Sequence, residues 1–207
     1  MGIAERKEKE KQRRRKTIIK AAEKIFFTVE GDKGTMDDVA AKVQLGKGTL
    51  YLYFKNKADL LYAIAEKGVQ ILTEYLRKVI NPEHTGRRQL SDLGDEFVRF
   101  VGDYPKYFEL ILRFELTDQH TKEKDNPDYL MEPALNILQE IIKLGQTDGT
   151  IRSDLSFDEI VIILWSQMLG LLQNILRQER YISKYNVELS RIIKGHYRII
   201  IKGISSS

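Results

Sequence analysis

The residues best suited to bind another molecule are hydrogen-bonding side chains crowded between residues 47 and 53. They are Lys47, Thr49, Tyr51 and Tyr53. On a helix of about 3.6 residues per turn, Leu50 and Phe54 share the face that would pack inward, so the polar side chains are left outside. A rigid helix with this outer surface has the width and the donor groups needed to enter the major groove of DNA.

A second short amphipathic segment directly precedes this one. Its apolar residues lie on one helical face: Met36, Val39, Ala40 and Val43. Leu45 lies between the two segments and can fill the angle where they meet. Ala40 is small enough to let two helices approach closely. This arrangement predicts a helix-turn-helix.

The run Thr49-Leu50-Tyr51-x-Tyr53-Phe54-x-x-Lys57, with Thr35 and Ala40 upstream, resembles the DNA-binding domain of TetR-family transcriptional regulators. The resemblance covers roughly residues 16 to 64, and a weaker one covers residues 148–155, which resemble a loop often found before the penultimate helix in that family. The resemblance implies a DNA-binding set with Lys57 at a phosphate and Gly48 leaving room for a close backbone approach. That set is Thr35, Lys47, Gly48, Thr49, Tyr51, Tyr53 and Lys57.

Two positions depart from the family's usual pattern in the link between the two helices. Gln44 stands where glycine is usual, and Gly46 stands where serine is frequent. A left-handed conformation at Gln44 would cost on the order of 1 kcal/mol, whereas a glycine N-cap in place of serine costs only a few tenths. Thr35 is the expected N-cap of the preceding helix, with Asp38 as its capping-box partner.

The charge of the chain is concentrated at its N-terminus. Residues 1–57 contain 15 basic and 8 acidic residues, whereas residues 58–207 contain 19 and 22. A basic first part and a mildly acidic remainder predict a polyanionic partner for the first part alone. The basic run 6–16 is open to two interpretations, a solvated helix end or an arm that binds phosphates or the minor groove.

Several classes of function find no support in the sequence. Without cysteines there are no disulfides or thiolate metal sites, and His84, His120 and His196 lack ligand spacing. We find no catalytic constellation, and therefore expect no enzyme activity, no metal and no cofactor. The basic N-terminus lacks the apolar stretch of a signal peptide, and the apolar stretch 160–176 is interrupted and short for a membrane span. We expect a soluble cytoplasmic protein without membrane contact.

The periodicity predicts an all-α fold of about nine helices. An N-terminal three-helix helix-turn-helix module with its basic arm (residues 1–57) would precede a larger helical domain for ligand binding and dimerisation (residues 58–207). The long stretches of Leu, Ile, Glu and Lys and the presence of only four prolines support this prediction.

The eighth predicted helix, over residues 157–178, begins with consecutive apolar residues from Ile160 to Trp165. A helix that is apolar all round must be covered on more than one side. A homodimer in which helices eight and nine of both subunits pack together, with Ile193 on their shared outer face, would supply the second cover, and the family resemblance adds to this preference. The alternative is a central helix buried within a monomer.

The resemblance also implies a pocket for a small molecule in the larger domain. The candidate lining residues are Phe108, Leu112, Arg113, Trp165, Met168 and Gln173. A mostly apolar lining would suit a lipophilic or aromatic effector. The sequence thus predicts a transcriptional regulator, a repressor released from a palindromic double-stranded DNA operator by a small effector. The alternative is a helical DNA-binding interaction protein controlled by a protein partner.

Overall fold

The computed structural model describes residues 2–28, 33–116, 130–177 and 188–206. All its regular elements over these ranges are helices, and the one extended pairing is an isolated antiparallel bridge between Ile151 and Ser205. The helices are α1 (Ile3–Phe26), α2 (Met36–Lys42), α3 (Lys47–Tyr51), α4 (Lys57–Arg77), α5 (Gly86–Asp103), α6 (Pro105–Leu116), α7 (Glu132–Thr147), α8 (Phe157–Arg177) and α9 (Leu189–Ile204). The predicted all-α fold is confirmed.

The chain forms two compact units, Met1–Lys67 and Gly68–Ser207, called here the N-terminal and C-terminal units. Their boundary falls inside α4, ten residues beyond the predicted boundary at residue 57. The first half of α4 belongs with the N-terminal unit because its side chains bond to α1. Lys67 Nζ lies 2.6 Å from a carboxylate oxygen of Glu23, and Arg15 pairs with Glu66. The assignment of separate functions to residues 1–57 and 58–207 stays a prediction.

The N-terminal unit is built around a small apolar core. It includes Ile18 and Ala22 of α1, Val39 of α2, and Leu50 and Phe54, all almost completely buried. The predicted apolar faces of α2 and α3 are therefore confirmed. The third helix is shorter than its apolar spacing indicates, because it ends at Tyr51 and continues as a turn.

The junctions between these short helices have the expected local chemistry. Thr35 caps α2 and forms a reciprocal capping box with Asp38, as predicted. Gln44 has a φ of +55°, so the residue that replaces the usual glycine does adopt the left-handed conformation. The basic run 6–16 lies inside α1, where Lys9 pairs with Glu5 and Arg14 pairs with Glu10.

In the C-terminal unit, α5 contacts α6, α7 and α9, and α8 contacts α6 and α7. The crossing of α5 and α7 needs glycine at position 86, since a Cβ there would lie 2.2 Å from the backbone nitrogen of Gly145. Asp148 fixes this crossing by accepting a hydrogen bond of 2.7 Å from the Gly86 backbone. The close approach brings α5, α7 and α9 around a common interior.

The outer surfaces of α8 and α9 carry exposed isoleucines. On α8, Ile160 and Val161 are buried while Ile162 is 64% exposed. On α9, Ile199 is 74% exposed. The predicted position of Ile193 on the outer face of α9 is wrong, because its side chain is fully buried within the unit.

No helix in the described part of the chain combines the length and apolarity that a bilayer crossing requires. Some sequence-based expectations fall outside the described ranges. They are the lack of ligand spacing at His120 and the end of the eighth predicted helix at residue 178.

Candidate functional site

The first candidate site is a groove on the N-terminal unit between α2, α3 and the start of α4. The residues that give it its character are Lys33, Thr35, Asp37, Lys47, Tyr51 and Lys57. We call it the basic groove, since three of its side chains are lysines and one is an aspartate. Four of the predicted DNA-binding residues thus come together: Thr35, Lys47, Tyr51 and Lys57.

Lys47, at the first position of α3, lies at the centre of the groove's charge pattern. Its ammonium group is 2.9 Å from the Asp37 carboxylate, and this hydrogen bond raises the pKa of Lys47. Both side chains are more than half exposed, so the pair is screened by water and weak. A phosphate could therefore displace Asp37 from Lys47 at little cost.

Thr35 is exposed, but its hydroxyl is occupied. It donates to Asp38 at 2.6 Å and accepts from the Asp38 backbone N–H. The hydroxyl hydrogen bond also lowers the pKa of Asp38. A phosphate at this end of α2 would therefore meet a hydroxyl already committed to the capping box.

The three remaining predicted DNA-binding residues lie outside the basic groove. Gly48 is exposed, and a Cβ built on it would meet nothing within 4 Å. Thr49 is half-buried on α3. Tyr53 is also half-buried, and it lies in the turn after α3 rather than on the helix, where its backbone N–H donates to the carbonyl of Leu50.

The second candidate site is an apolar cavity of about 50 Å³ inside the C-terminal unit. Helices α4, α5, α7, α8 and α9 all contribute to its wall. The lining residues are Leu72, Leu76, Leu90, Leu93, Phe97, Met131, Ala134, Leu135, Leu138, Leu164, Trp165, Met168, His196, Tyr197, Ile200 and Ile201.

Two of the six predicted lining residues, Trp165 and Met168, line this cavity. The other four do not. Phe108 is buried behind its wall, with its ring edge-on to that of the lining residue Phe97 at 6.0 Å. Leu112 is buried but absent from the lining, Arg113 is exposed, and Gln173 is half-buried. Phe108, Leu112 and Arg113 are absent because α6 contributes no residue to the wall, whereas Gln173 lies on α8 beyond the last lining residue of that helix, Met168.

Part of the N-terminal unit matches a known protein family. Residues 18–64 match the family described as bacterial regulatory proteins, tetR family. These residues include most of the N-terminal core, α2, α3 and the start of α4. The chain belongs to the TetR family of transcriptional regulators.

Among relatives, the fatty acid metabolism regulator protein of Bacillus subtilis is 24% identical over 148 residues, which is 71% of this chain and 75% of the relative. FadR of Bacillus subtilis, solved in complex with stearoyl-CoA, has the same fold with a TM-score of 0.65 and 18% identity, over 91% of this chain and 98% of FadR. FadR of Thermus thermophilus, solved in complex with lauroyl-CoA, has a TM-score of 0.67 and 16% identity over 93% and 96%. At these identities the solved structures establish the fold.

Two surface residues of this TetR-family chain were not among the predicted DNA-binding residues. Lys33 lines the basic groove, and its basic charge just before Thr35 was the available signal. Leu52, directly after α3, is 81% exposed. Its exposure could have been deduced from the helical spacing, since Leu52 lies between Leu50 and Phe54 and away from their shared face.

Proposed function

We propose that this TetR-family protein is a homodimeric repressor of a palindromic operator. Each subunit would place residues 47–53 in a major groove, with the basic groove on the neighbouring phosphates. The observation that supports this most directly is the division of the α3 region into a buried side and an exposed one. Leu50 and Phe54 anchor the segment in the core, while Lys47, Tyr51 and Leu52 remain exposed.

The homodimer part of the proposal is supported by the exposed isoleucines of α8 and α9. Ile162 and Ile199 are large aliphatic side chains left exposed on these two helices, and a subunit interface over α8 and α9 would cover them. A palindrome requires two DNA-binding surfaces, one for each half-site, and a symmetric dimer would supply both. We call the helix-turn-helix of each subunit a reading head. The apolar patterns of the sequence favour the same two helices for this role.

The effector would occupy the cavity of the C-terminal unit. Its apolar lining suits a lipophilic molecule, and two FadR proteins of the same fold were solved with acyl-CoA bound. Ligand sites typically span about 300 to 1,000 Å³, so a cavity of about 50 Å³ must expand on binding. Flexible lining side chains such as Met131 and Met168 can make room. The effector would release the operator by binding the two states of the dimer with different affinities.

The small size of the cavity also favours a second candidate function. If the cavity stays closed, the protein could be regulated by a protein partner, with the exposed isoleucines of α8 and α9 as the binding surface. Both candidates keep the DNA-binding surface and differ only in what controls it.

Selection of bound sequences from a randomised DNA library tests the DNA-binding part of the proposal. We expect an enriched palindrome whose half-sites are about one helical turn apart, or a multiple of it. Enrichment of unrelated sequences would contradict it. Native mass spectrometry of the purified protein then separates the two candidates for control. A dimer that carries a small co-purified molecule supports the effector, whereas a complex with a second protein and no small molecule supports the partner.

A further inference from the structure

His196 is the exceptional residue of the cavity wall. Its Nε2 atom is buried and has no hydrogen-bond partner, although the surrounding lining is almost entirely apolar. Buried side-chain nitrogens and oxygens in folded proteins nearly always have a partner, and the exceptions mark a missing water, a functional group or a ligand position.

The imidazole is held in place by the packing of its neighbour. Tyr197 lies flat against α5 at Gly94, where a Cβ would come within 2.7 Å of the tyrosine ring. The rings of Tyr197 and His196 meet at 82° with their centroids 6.3 Å apart. The close contact at Gly94 holds α9 against α5, and His196, the residue next to Tyr197 on α9, lies in the cavity wall.

The cavity has no ionised group to match a charged ligand. No lysine, arginine, aspartate or glutamate belongs to its lining in the described part of the chain. Burial lowers the pKa of His196 and raises the pKa of Tyr197, so both side chains are neutral near pH 7. A neutral imidazole still offers one donor and one acceptor. A carboxylate buried beside it would lack a counter-charge, which is strongly unfavourable.

We propose that His196 binds the head group of the effector, and that this head group is an uncharged oxygen, the carbonyl of an ester or thioester or a hydroxyl, at the end of an apolar chain. The proposal rests on the use of the cavity as the effector site. Any anionic part of the effector would have to remain outside the apolar lining. His196 would thereby select against free carboxylic acids at neutral pH.

Titration calorimetry on the full-length protein without DNA tests this, with four probes of equal chain length. The probes are methyl laurate, dodecanol, laurate and dodecane. We expect methyl laurate and dodecanol to bind about tenfold more tightly than dodecane, the effect of one hydrogen bond to an otherwise unpaired buried group. Laurate should bind at least about tenfold more weakly than its methyl ester at pH 7. Equal binding of laurate and the ester, or no binding of either neutral probe, would overturn the proposal.

Substitutions at His196 separate a hydrogen bond from simple packing. His196→Phe and His196→Met both remove the ring nitrogen, and either one should abolish the preference for methyl laurate over dodecane. His196→Gln retains a donor and an acceptor and should restore part of the preference. Met168→Leu changes the apolar wall alone and should shift all four probes by similar factors. If a buried water already satisfies Nε2, the ester preference will survive in the Phe and Met variants, and the proposal fails.

Operator affinity, measured separately on the same proteins, distinguishes this proposal from the proposed function. A His196-dependent ester preference without any change in operator affinity would leave the head-group assignment standing and refute control of DNA binding by the cavity. If methyl laurate releases the operator equally well from the wild-type protein, His196→Phe and His196→Met, the cavity would still control DNA binding. The assignment of His196 to the head group would then be refuted.

Discussion

The two units of this molecule present their functional groups in opposite ways. In the N-terminal unit the apolar core serves as a support, and Lys47, Tyr51 and Leu52 are exposed on its outside. In the C-terminal unit the polar groups of interest, His196 and Tyr197, face inward onto an apolar cavity. One surface is suited to a partner larger than the unit, and the other to a molecule that can be enclosed.

The difference decides how strongly each polar group interacts. The ion pair between Lys47 and Asp37 is exposed, so water and salt weaken it and a phosphate can replace the aspartate. The unpaired Nε2 of His196 is shielded from water, so a single hydrogen bond there has a large effect on selectivity. DNA binding should therefore depend steeply on salt, whereas ligand binding should depend on the identity of one atom.

The largest effect should come from separating the two subunits of the proposed homodimer. Ile199→Glu places a carboxylate on the exposed apolar surface of α9, and in a symmetric dimer it does so twice. We expect a folded monomer whose affinity for a palindromic operator falls by about a hundredfold or more, because the second reading head no longer adds its binding. Affinity for a single half-site should change little. Analytical ultracentrifugation and fluorescence anisotropy measure both effects.

Ser190→Glu is the matched control, because Ser190 is exposed on α9 about half a turn round the helix from Ile199, so the new carboxylate lies on a different face. It should remain dimeric. An Ile199→Glu protein that sediments as a folded dimer would remove α9 from the subunit interface and with it the proposed arrangement of two reading heads.

The sequence predicts the N-terminal unit well because that surface depends on local spacing. Leu50 and Phe54 lie four residues apart, and their burial leaves Tyr51 and Leu52 exposed between them. The Thr35 and Asp38 capping box is likewise a three-residue pattern. The helical position predicted for Tyr53 is wrong because α3 ends after Tyr51, and periodicity locates the end of a helix poorly.

The cavity could be predicted only in part because five helices build it. The apolar character of α8 is enough to indicate Trp165 and Met168. Phe108 and Leu112 have the same apolar character, but α6 packs behind α5, and nothing in their spacing indicates that. The prediction for Ile193 failed for a related reason, since the α9 stripe does not reveal which of its isoleucines faces the unit's own core. The sequence alone also gives no sign that Nε2 of His196 is unpaired.

A substitution at Gly94 tests whether the cavity wall affects DNA binding in the absence of a ligand. Gly94→Ala would force the Tyr197 ring away from α5, and overpacking of this kind costs about 1 to 3 kcal/mol of unfolding free energy. We expect weaker binding of methyl laurate and an unchanged operator affinity in the absence of ligand. Chemical denaturation, calorimetry and anisotropy on one preparation give the three quantities.

Gly102→Ala on the same helix is the control, because a Cβ there meets nothing within 4 Å. It should stabilise the protein by about 0.4 to 1 kcal/mol and leave ligand binding intact. A Gly94→Ala protein with altered operator affinity without ligand would mean that the cavity wall influences DNA binding even when empty.

Substitutions at the exposed ion pair between Lys47 and Asp37 should change operator affinity by a smaller factor. The substitution of Lys47 and that of Asp37 should act in opposite directions. Lys47→Ala should weaken operator binding about tenfold, evenly over DNA sequences, and reduce the log–log salt slope by about 0.9 for each phosphate that the protein no longer neutralises. Asp37→Asn should do the reverse, because it releases Lys47 and removes a negative charge from the basic groove. Weaker binding in both variants would indicate that the ion pair holds the groove's shape.

The smallest effect tests whether the exposed surface also reads sequence. Leu52 is 81% exposed and has no charge, so its contribution on DNA would be apolar contact with the methyl group of a thymine. Burying one methyl group is worth about 0.8 kcal/mol, or about fourfold in affinity. Replacing thymines of the operator by uracil, one at a time, removes that methyl and nothing else. The wild-type protein should lose about fourfold in affinity at one thymine of each half-site, and Leu52→Ala should lose nothing further there.

If both proteins respond identically to uracil at every position, Leu52 does not contact a thymine methyl, and the exposed leucine needs another explanation. A loss confined to the wild-type protein would show that a residue outside the motif adds sequence selectivity to a surface otherwise governed by charge.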